Sequence, residues 1–340
     1  MKTVPVYLLS FLLFLGVTQT SFAQDEARTQ AVELFNEAQE LAGSNQFQSA
    51  IDKYRETLQV SRSNNITDIQ ERVEDLLPRV YATRAASAFR DFQSQRTMSS
   101  LNTAIDYFKS SQEAAQEFNN QQIAQQAANA VPQLYYQRSI MHFRQSNYSD
   151  AMSDLDSALE LNANYAVAYY QKGIVQKQIA PNDVDAFMYW YDMAIDVAER
   201  VNDNRTLSNA KSSARDELIF RAVNLSEQRR FNDAVELLNR VSDYDPAAYE
   251  TYYRLSEIGN LRGNWGNAES SARRALELHT GGVADKAKIY FELGTALKGQ
   301  GNFPAACSAF ENARYGSFTN PANHELQFEL RCEGHTASNR

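Results

Sequence analysis

Histidine and cysteine are scarce in this chain, four of the one and two of the other in 340 residues. His142, His279, His324 and His335 stand far apart, and none belongs to a His-Glu-x-x-His spacing. Cys307 and Cys332 are too distant for a Cys-x-x-Cys pair, so no zinc or dithiol motif is recognisable. Gly-x-Ser-x-Gly elbows and phosphate-cradling glycine loops are missing as well, and Gly263-Asn264-Trp265-Gly266 reads as a turn. With no converging set of titratable residues, no catalytic residue, cofactor or metal is expected, and the chain does not read as an enzyme. Asp183 with Asp185 and Asp243 with Asp245 are carboxylate pairs that a hard cation could use, but the remaining ligands are not at a recognisable spacing, and helix capping explains them as well. Positive charge is also in short supply. The 33 Lys and Arg face 42 Asp and Glu, a formal charge of −9, which disfavours nucleic acid and anionic membrane surfaces as partners.

Long apolar runs are lacking except at the start. Lys2, the apolar stretch Tyr7 to Val17 and the small residues of Ser21-Phe22-Ala23 have the order of an export leader over residues 1–23, with cleavage leaving Gln24 first. The alternative is a membrane anchor, but the stretch is shorter than the roughly 20 residues a spanning helix needs. No cysteine follows it to carry a lipid, so the expected destination is periplasmic or extracellular. In an exported protein, Cys307 and Cys332 most simply form one disulfide, with two buried free thiols as the alternative. Chain entropy for such a loop gives about 3–4 kcal/mol.

What the chain has in abundance is helical apolar periodicity, and it recurs. Tyr290-x-x-Leu293-Gly294-x-x-Leu297 is followed by Phe303-x-x-Ala306-x-x-x-Phe310-x-x-Ala313. Upstream stand Trp265-x-x-Ala268-x-x-x-Ala272-x-x-Ala275, Phe231-x-x-Ala234-x-x-x-Leu238-x-x-Val241 and Tyr148-x-x-Ala151-x-x-x-Leu155-x-x-Ala158. An irregular copy surrounds Gly173 and Ala186, and the earliest are centred on Ala50 and Ala104. Ala234 and Ala268 are 34 residues apart, while Ala50 to Ala104 is 54, Ala104 to Ala151 is 47 and Ala186 to Ala234 is 48, so three units carry longer helices. Leu77-Pro78-Arg79-Val80-Tyr81-x-x-Arg84 matches Val131-Pro132-Gln133-Leu134-Tyr135-x-x-Arg138 at the same 54-residue offset, as if one long module had been copied. Asn64-Asn65, Asn119-Asn120 and Asn202-Asp203 precede the long helices as turn and cap signals. Pro78 and Pro132 predict a kink or break just before each.

These motifs resemble the tetratricopeptide repeat, in which small residues mark where paired helices cross and large ones fill the gaps between crossings. The resemblance implies an all-α, right-handed superhelical solenoid of antiparallel helix pairs, seven repeats occupying residues 24–316, with a capping helix of about Asn323 to Cys332 and a tail in 317–340. It also implies a binding scaffold with a protein or peptide partner. By the family's pattern, the residue after the large packing residue of each first helix points into the concave groove, which gives Tyr136, Tyr170, Ile219, Tyr253 and Phe291. Their tyrosine faces equally suit a sugar, so a carbohydrate ligand in polysaccharide export or uptake is the alternative. The carboxylate clamp of cytosolic chaperone adaptors needs Asn and Lys or Arg, whereas this chain has Gln137, Ile140, Gln171, Phe220 and Glu257, which argues against that ligand.

Overall fold

The computed structural model describes the backbone of residues 8–334 and the side chains of 24–334. The side chains of the expected leader, residues 1–23, and the last residues, 335–340 with His335, lie outside what is described. Fifteen helices follow one another, and no strand occurs among the described residues. They are α1 (Leu8–Gly43), α2 (Phe47–Ser63), α3 (Thr67–Gln95), α4 (Met98–Glu117), α5 (Gln121–Arg144), α6 (Tyr148–Leu161), α7 (Ala166–Ile179), α8 (Val184–Val201), α9 (Asn204–Glu227), α10 (Phe231–Arg240), α11 (Tyr249–Leu261), α12 (Trp265–Leu278), α13 (Ala287–Gly299), α14 (Phe303–Asn312) and α15 (Thr319–His324). Two compact units divide them, one ending at Val184 and the other starting at Asp185. The first holds the hairpins α1–α2, α3–α4 and α5–α6 followed by α7, and the second holds α8, the hairpins α9–α10, α11–α12 and α13–α14, and α15.

The hairpins close on the small residues of the repeated motif. Ala50, Ala104, Ala151, Ala234, Ala268 and Ala306 are all fully buried. A Cβ at Gly259 of α11 would stand 2.9 Å from the Cβ of Ala268 and 3.1 Å from that residue's backbone, and one at Gly294 of α13 would stand 2.8 Å from the ring of Phe310. Large side chains fill the spaces between crossings: Tyr54, Leu58 and Leu77 in one core cluster, Leu101, Ile105 and Leu134 in the next, Leu293, Leu297 and Phe310 in the last.

The uneven repeat spacing is taken up by helix length. α3 has 29 residues and α5 and α9 have 24 each, against 13 in α11 and α13. Asn65, Asn119 and Asn202 take the left-handed conformation before the three long helices, where asparagine is better tolerated than other L-residues. Asn120 and Asp203 then cap α5 and α9, their side-chain oxygens accepting from the amides of Ile123 at 3.1 Å and Thr206 at 3.0 Å.

Two expectations need correction. Helices α3 and α5 run through Pro78 and Pro132 without a break. Each proline removes one amide donor, but its ring is buried beside Leu77 or Val131, and the packed turns on both sides hold the helix together. The C-terminal cap begins and ends earlier than expected, running from Thr319 to Glu329. α15 ends at His324, the chain continues as a wider turn over Glu325–Glu329, and Cys332 lies beyond it. Ala322, Leu326 and Cys332 are buried against the α13–α14 hairpin. Cys332 is bonded to Cys307 of α14, and Lys298 of α13 donates to Glu325 at 2.6 Å.

The close approach at Gly259 gives a direct test. Replacing it by Ala forces α11 and α12 apart and is expected to cost about 1–3 kcal/mol. Gly266→Ala meets nothing within 4 Å and is expected to be neutral or to stabilise by up to about 1 kcal/mol through helix propensity. Denaturant unfolding of the two variants measures the difference.

Candidate functional site

Of the five residues expected to line a groove, two lie in the first unit and three in the second. Tyr136 and Tyr170 lie in the first unit, half-buried; Tyr136 stands edge-on to Tyr165, with ring centres 5.7 Å apart. In the second unit, Ile219 lines an open cleft, whereas Tyr253 is buried and Phe291 half-buried. Tyr253 is only 5% exposed and belongs to the core cluster around Ile289 and Phe310. Phe291 packs on Phe310 and is flanked by Phe318 from the C-terminal segment, both at 5.4 Å between ring centres. The motif spacing places both residues on the first helix of their pair, but it carries no information about what the next element lays over them.

The cleft that Ile219 lines runs between α9 and α11 and has a volume of about 600 Å³. A smaller recess of about 220 Å³ adjoins it, sharing Val223 and Arg254. α9 contributes Arg215, Ile219, Phe220 and Val223, spaced so that one helical face is apolar with a charge at its edge. Phe220 is 60% exposed on this face, and Leu261, at the far end of the recess, is 67% exposed. Large side chains this open mark a surface available for burial against something else.

Charge surrounds the apolar strip. On α11, Glu250 accepts from Arg254 at 2.9 Å and from Lys288 of α13 at 2.7 Å, while Arg254 also donates to Glu257 at 2.9 Å. The Tyr253 hydroxyl donates to Glu257 at 2.6 Å, so the buried tyrosine holds that carboxylate in place from beneath. Arg215 is shared between Asp216 and Asp245. Lining the cleft and its recess are five carboxylates, Asp216, Glu227, Asp245, Glu250 and Glu257, against the two guanidinium groups of Arg215 and Arg254. The site is therefore net acidic after its own pairing. The signal for this network was in the sequence as Glu250, Arg254 and Glu257 at helical spacing, but nothing there placed Arg215 opposite them.

Beside the network, Glu292 of α13 takes a hydrogen bond from Asn260 at 2.7 Å. Burial pushes its carboxyl up to about 7; Glu257 adds to the rise, while the Asn260 bond and Arg254 oppose it. The sign follows from the direction of the shift. A carboxyl raised in the folded state contributes stability that is fully present below its unfolded value near 4.5 and is lost as pH rises through about 7. Stability of the wild-type chain is therefore expected to fall by up to about 3 kcal/mol between pH 4.5 and 8 from this group alone. Glu292→Gln, which keeps a hydrogen-bonding partner for Asn260, should remove that component, as urea unfolding across the range would show.

No group of three or more His, Cys, Asp or Glu is arranged to hold a metal among the described residues. A second first-helix cleft, of about 540 Å³, lies between α3 and α5 in the first unit; Gln137 and Ile140 line it with Arg96 and Arg144.

Residues 221–283, which run from the end of α9 through α12, match the tetratricopeptide repeat family. No curated protein matches the sequence. Among solved structures, similarity extends to YrrB, described as a TPR protein with an unusual peptide-binding site, at 19% identity over 53% of this chain and 84% of that one with a TM-score of 0.30. PilF of Pseudomonas aeruginosa is 17% identical over 60% of this chain and 84% of its own, with a TM-score of 0.32. The TPR domain of P58(IPK) is 12% identical over 88% and 97%, with a TM-score of 0.33. The family match falls on helical hairpins that close on the alanines and glycines of the repeated motif, so residues 221–283 are tetratricopeptide repeat, and the hairpins before and after them repeat the same crossings.

Proposed function

We propose that this chain is an exported scaffold that holds a segment of a partner protein in the α9–α11 cleft, in envelope assembly, secretion or complex formation. The observation that carries the reading is the exposed Phe220 on an apolar strip bordered by excess carboxylates. A peptide with apolar side chains next to Lys or Arg is complementary to it in both respects. Export rests on Lys2, the apolar stretch to Val17 and the small residues before Gln24. A sugar ligand finds less support, because stacking needs open ring faces, and Tyr253 is buried while Tyr136 is engaged by Tyr165.

Selection of random peptides on the purified protein is expected to enrich sequences that combine Lys or Arg with Leu, Ile or Phe. Because Phe220 is exposed, Phe220→Ala should leave the melting temperature unchanged and weaken the selected peptides about tenfold or more, as interface aromatics do. Failure to enrich such sequences, or their full affinity in the variant, would remove the cleft as the site. In cells, mass spectrometry of the exported protein is expected to find Gln24 at its N-terminus.

A further inference from the structure

Helices α3 and α5 present matching faces to the cleft between them. Phe89, Phe92, Gln93 and Arg96 follow one another at i, i+3, i+4 and i+7 on the first helix. Gln137, Ile140, Met141 and Arg144 repeat that spacing on the second. Phe92 is buried and Phe89, Ile140 and Met141 are half-buried, so the floor of the cleft is apolar. Each helix ends in its arginine: Arg96 caps α3, and Arg144 is the last residue of α5. Both are exposed, at the end of the cleft where the two helices terminate.

The charge is opposite to that of the α9–α11 cleft. None of the described residues lining this one carries a carboxylate, in a chain whose formal charge is −9. Arg28, Arg55, Arg62, Arg79 and Arg138 of the same unit each pair with an acidic side chain. The side chains of Arg96 and Arg144 have no hydrogen bond or ion pair among the described residues. The helix dipole favours a cation at a helix C-terminus, which accounts for positive charge at both places. It leaves the donors of both guanidinium forks unused, beside an apolar floor.

Gln93, Gln137 and Gln145 complete the walls, and their side-chain amides have no hydrogen-bond partner among the described residues. Each amide offers a donor and an acceptor, which matches the alternating groups of an extended backbone and has no counterpart on a lipid chain. Two arginines are few for a nucleic acid, whose binding rests on many phosphate contacts. The family's carboxylate clamp is not what holds the charge, since Gln137 and Ile140 stand at its places.

We propose that the α3–α5 cleft is a second docking site, for a protein segment in which Asp or Glu lies beside Leu, Ile, Phe or Met. The apolar side chains of the segment cover Phe89, Ile140 and Met141, and its carboxylates take the forks of Arg96 and Arg144.

Capped random peptides limited to Asp, Glu, Leu, Ile, Phe, Met and Ser are selected on the full chain, and those retained are titrated singly. The pool holds no Lys or Arg, so the outcome does not depend on the basic segment proposed for the α9–α11 cleft. The methyl resonance of Met141 in methionine-labelled protein is expected to move. Replacing the acids of a retained peptide by Asn and Gln is expected to weaken it about tenfold or more, as loss of charge-assisted pairs does. Arg96→Gln with Arg144→Gln should weaken the acidic peptide by a similar factor and leave its amide version unchanged. Arginines that serve only the helix ends would instead give the double variant a lower melting temperature and full affinity, which overturns the proposal. An empty selection, a Met141 resonance that stays in place or an amide version that binds as tightly overturns it too. Anionic vesicles or a short oligonucleotide that move Met141 and displace the peptide at lower concentration would replace the segment as occupant and overturn it equally. Should the double variant fail to fold, the acid and amide peptides and the Met141 resonance of the wild type decide alone.

Discussion

Everything in this chain depends on how closely two helices can approach. Alanine or glycine at each crossing lets the backbones of a pair come within side-chain contact, and the fully buried Ala104, Ala151, Ala234, Ala268 and Ala306 show the same solution repeated along the sequence. Once the crossings are fixed, the large residues between them have only the neighbouring hairpin to bury against, so each pair completes its core by stacking. First-helix faces not used in stacking are left to form clefts, and the α9–α11 cleft is one of them.

Architecture was legible in the sequence because that constraint is local. A small residue every few positions, an asparagine before each lengthened helix and an aromatic between crossings are all contained in a single repeat. The unbroken α3 and α5 show where local reading gives way: proline's loss of one hydrogen bond is read correctly at Pro78 and Pro132, but the packing that outweighs it comes from other helices. Tyr253 and Phe291 show the same thing for the site. Their place on the first helix is a matter of period, whereas their coverage is set by α13 and by Phe318, residues that repeat periodicity does not address.

Arg84 and Arg138 hold the same place in the two copies of the long module, 54 residues apart, and meet different fates. In the second copy the charge is absorbed by Asp154, and the residue is structural. In the first, Tyr107 stands over the Arg84 guanidinium without accepting its hydrogen bonds, and the Arg84 Nε stays buried without a partner.

The bond between Cys307 and Cys332 gives the second unit a polarity. In a stack whose members touch mainly their neighbours, fraying starts at the ends. Here one end is stitched to α14 by a covalent link and to α13 by the Lys298 pairs with Glu325 and Glu329, which oppose fraying at that end. A protease or unfoldase that threads the chain from the C-terminal side of Cys332 meets the link there and must draw a closed loop, two strands abreast, to go further. Reduction therefore decides whether the chain passes that point as a single strand as well as how tightly the α13–α14 hairpin is held.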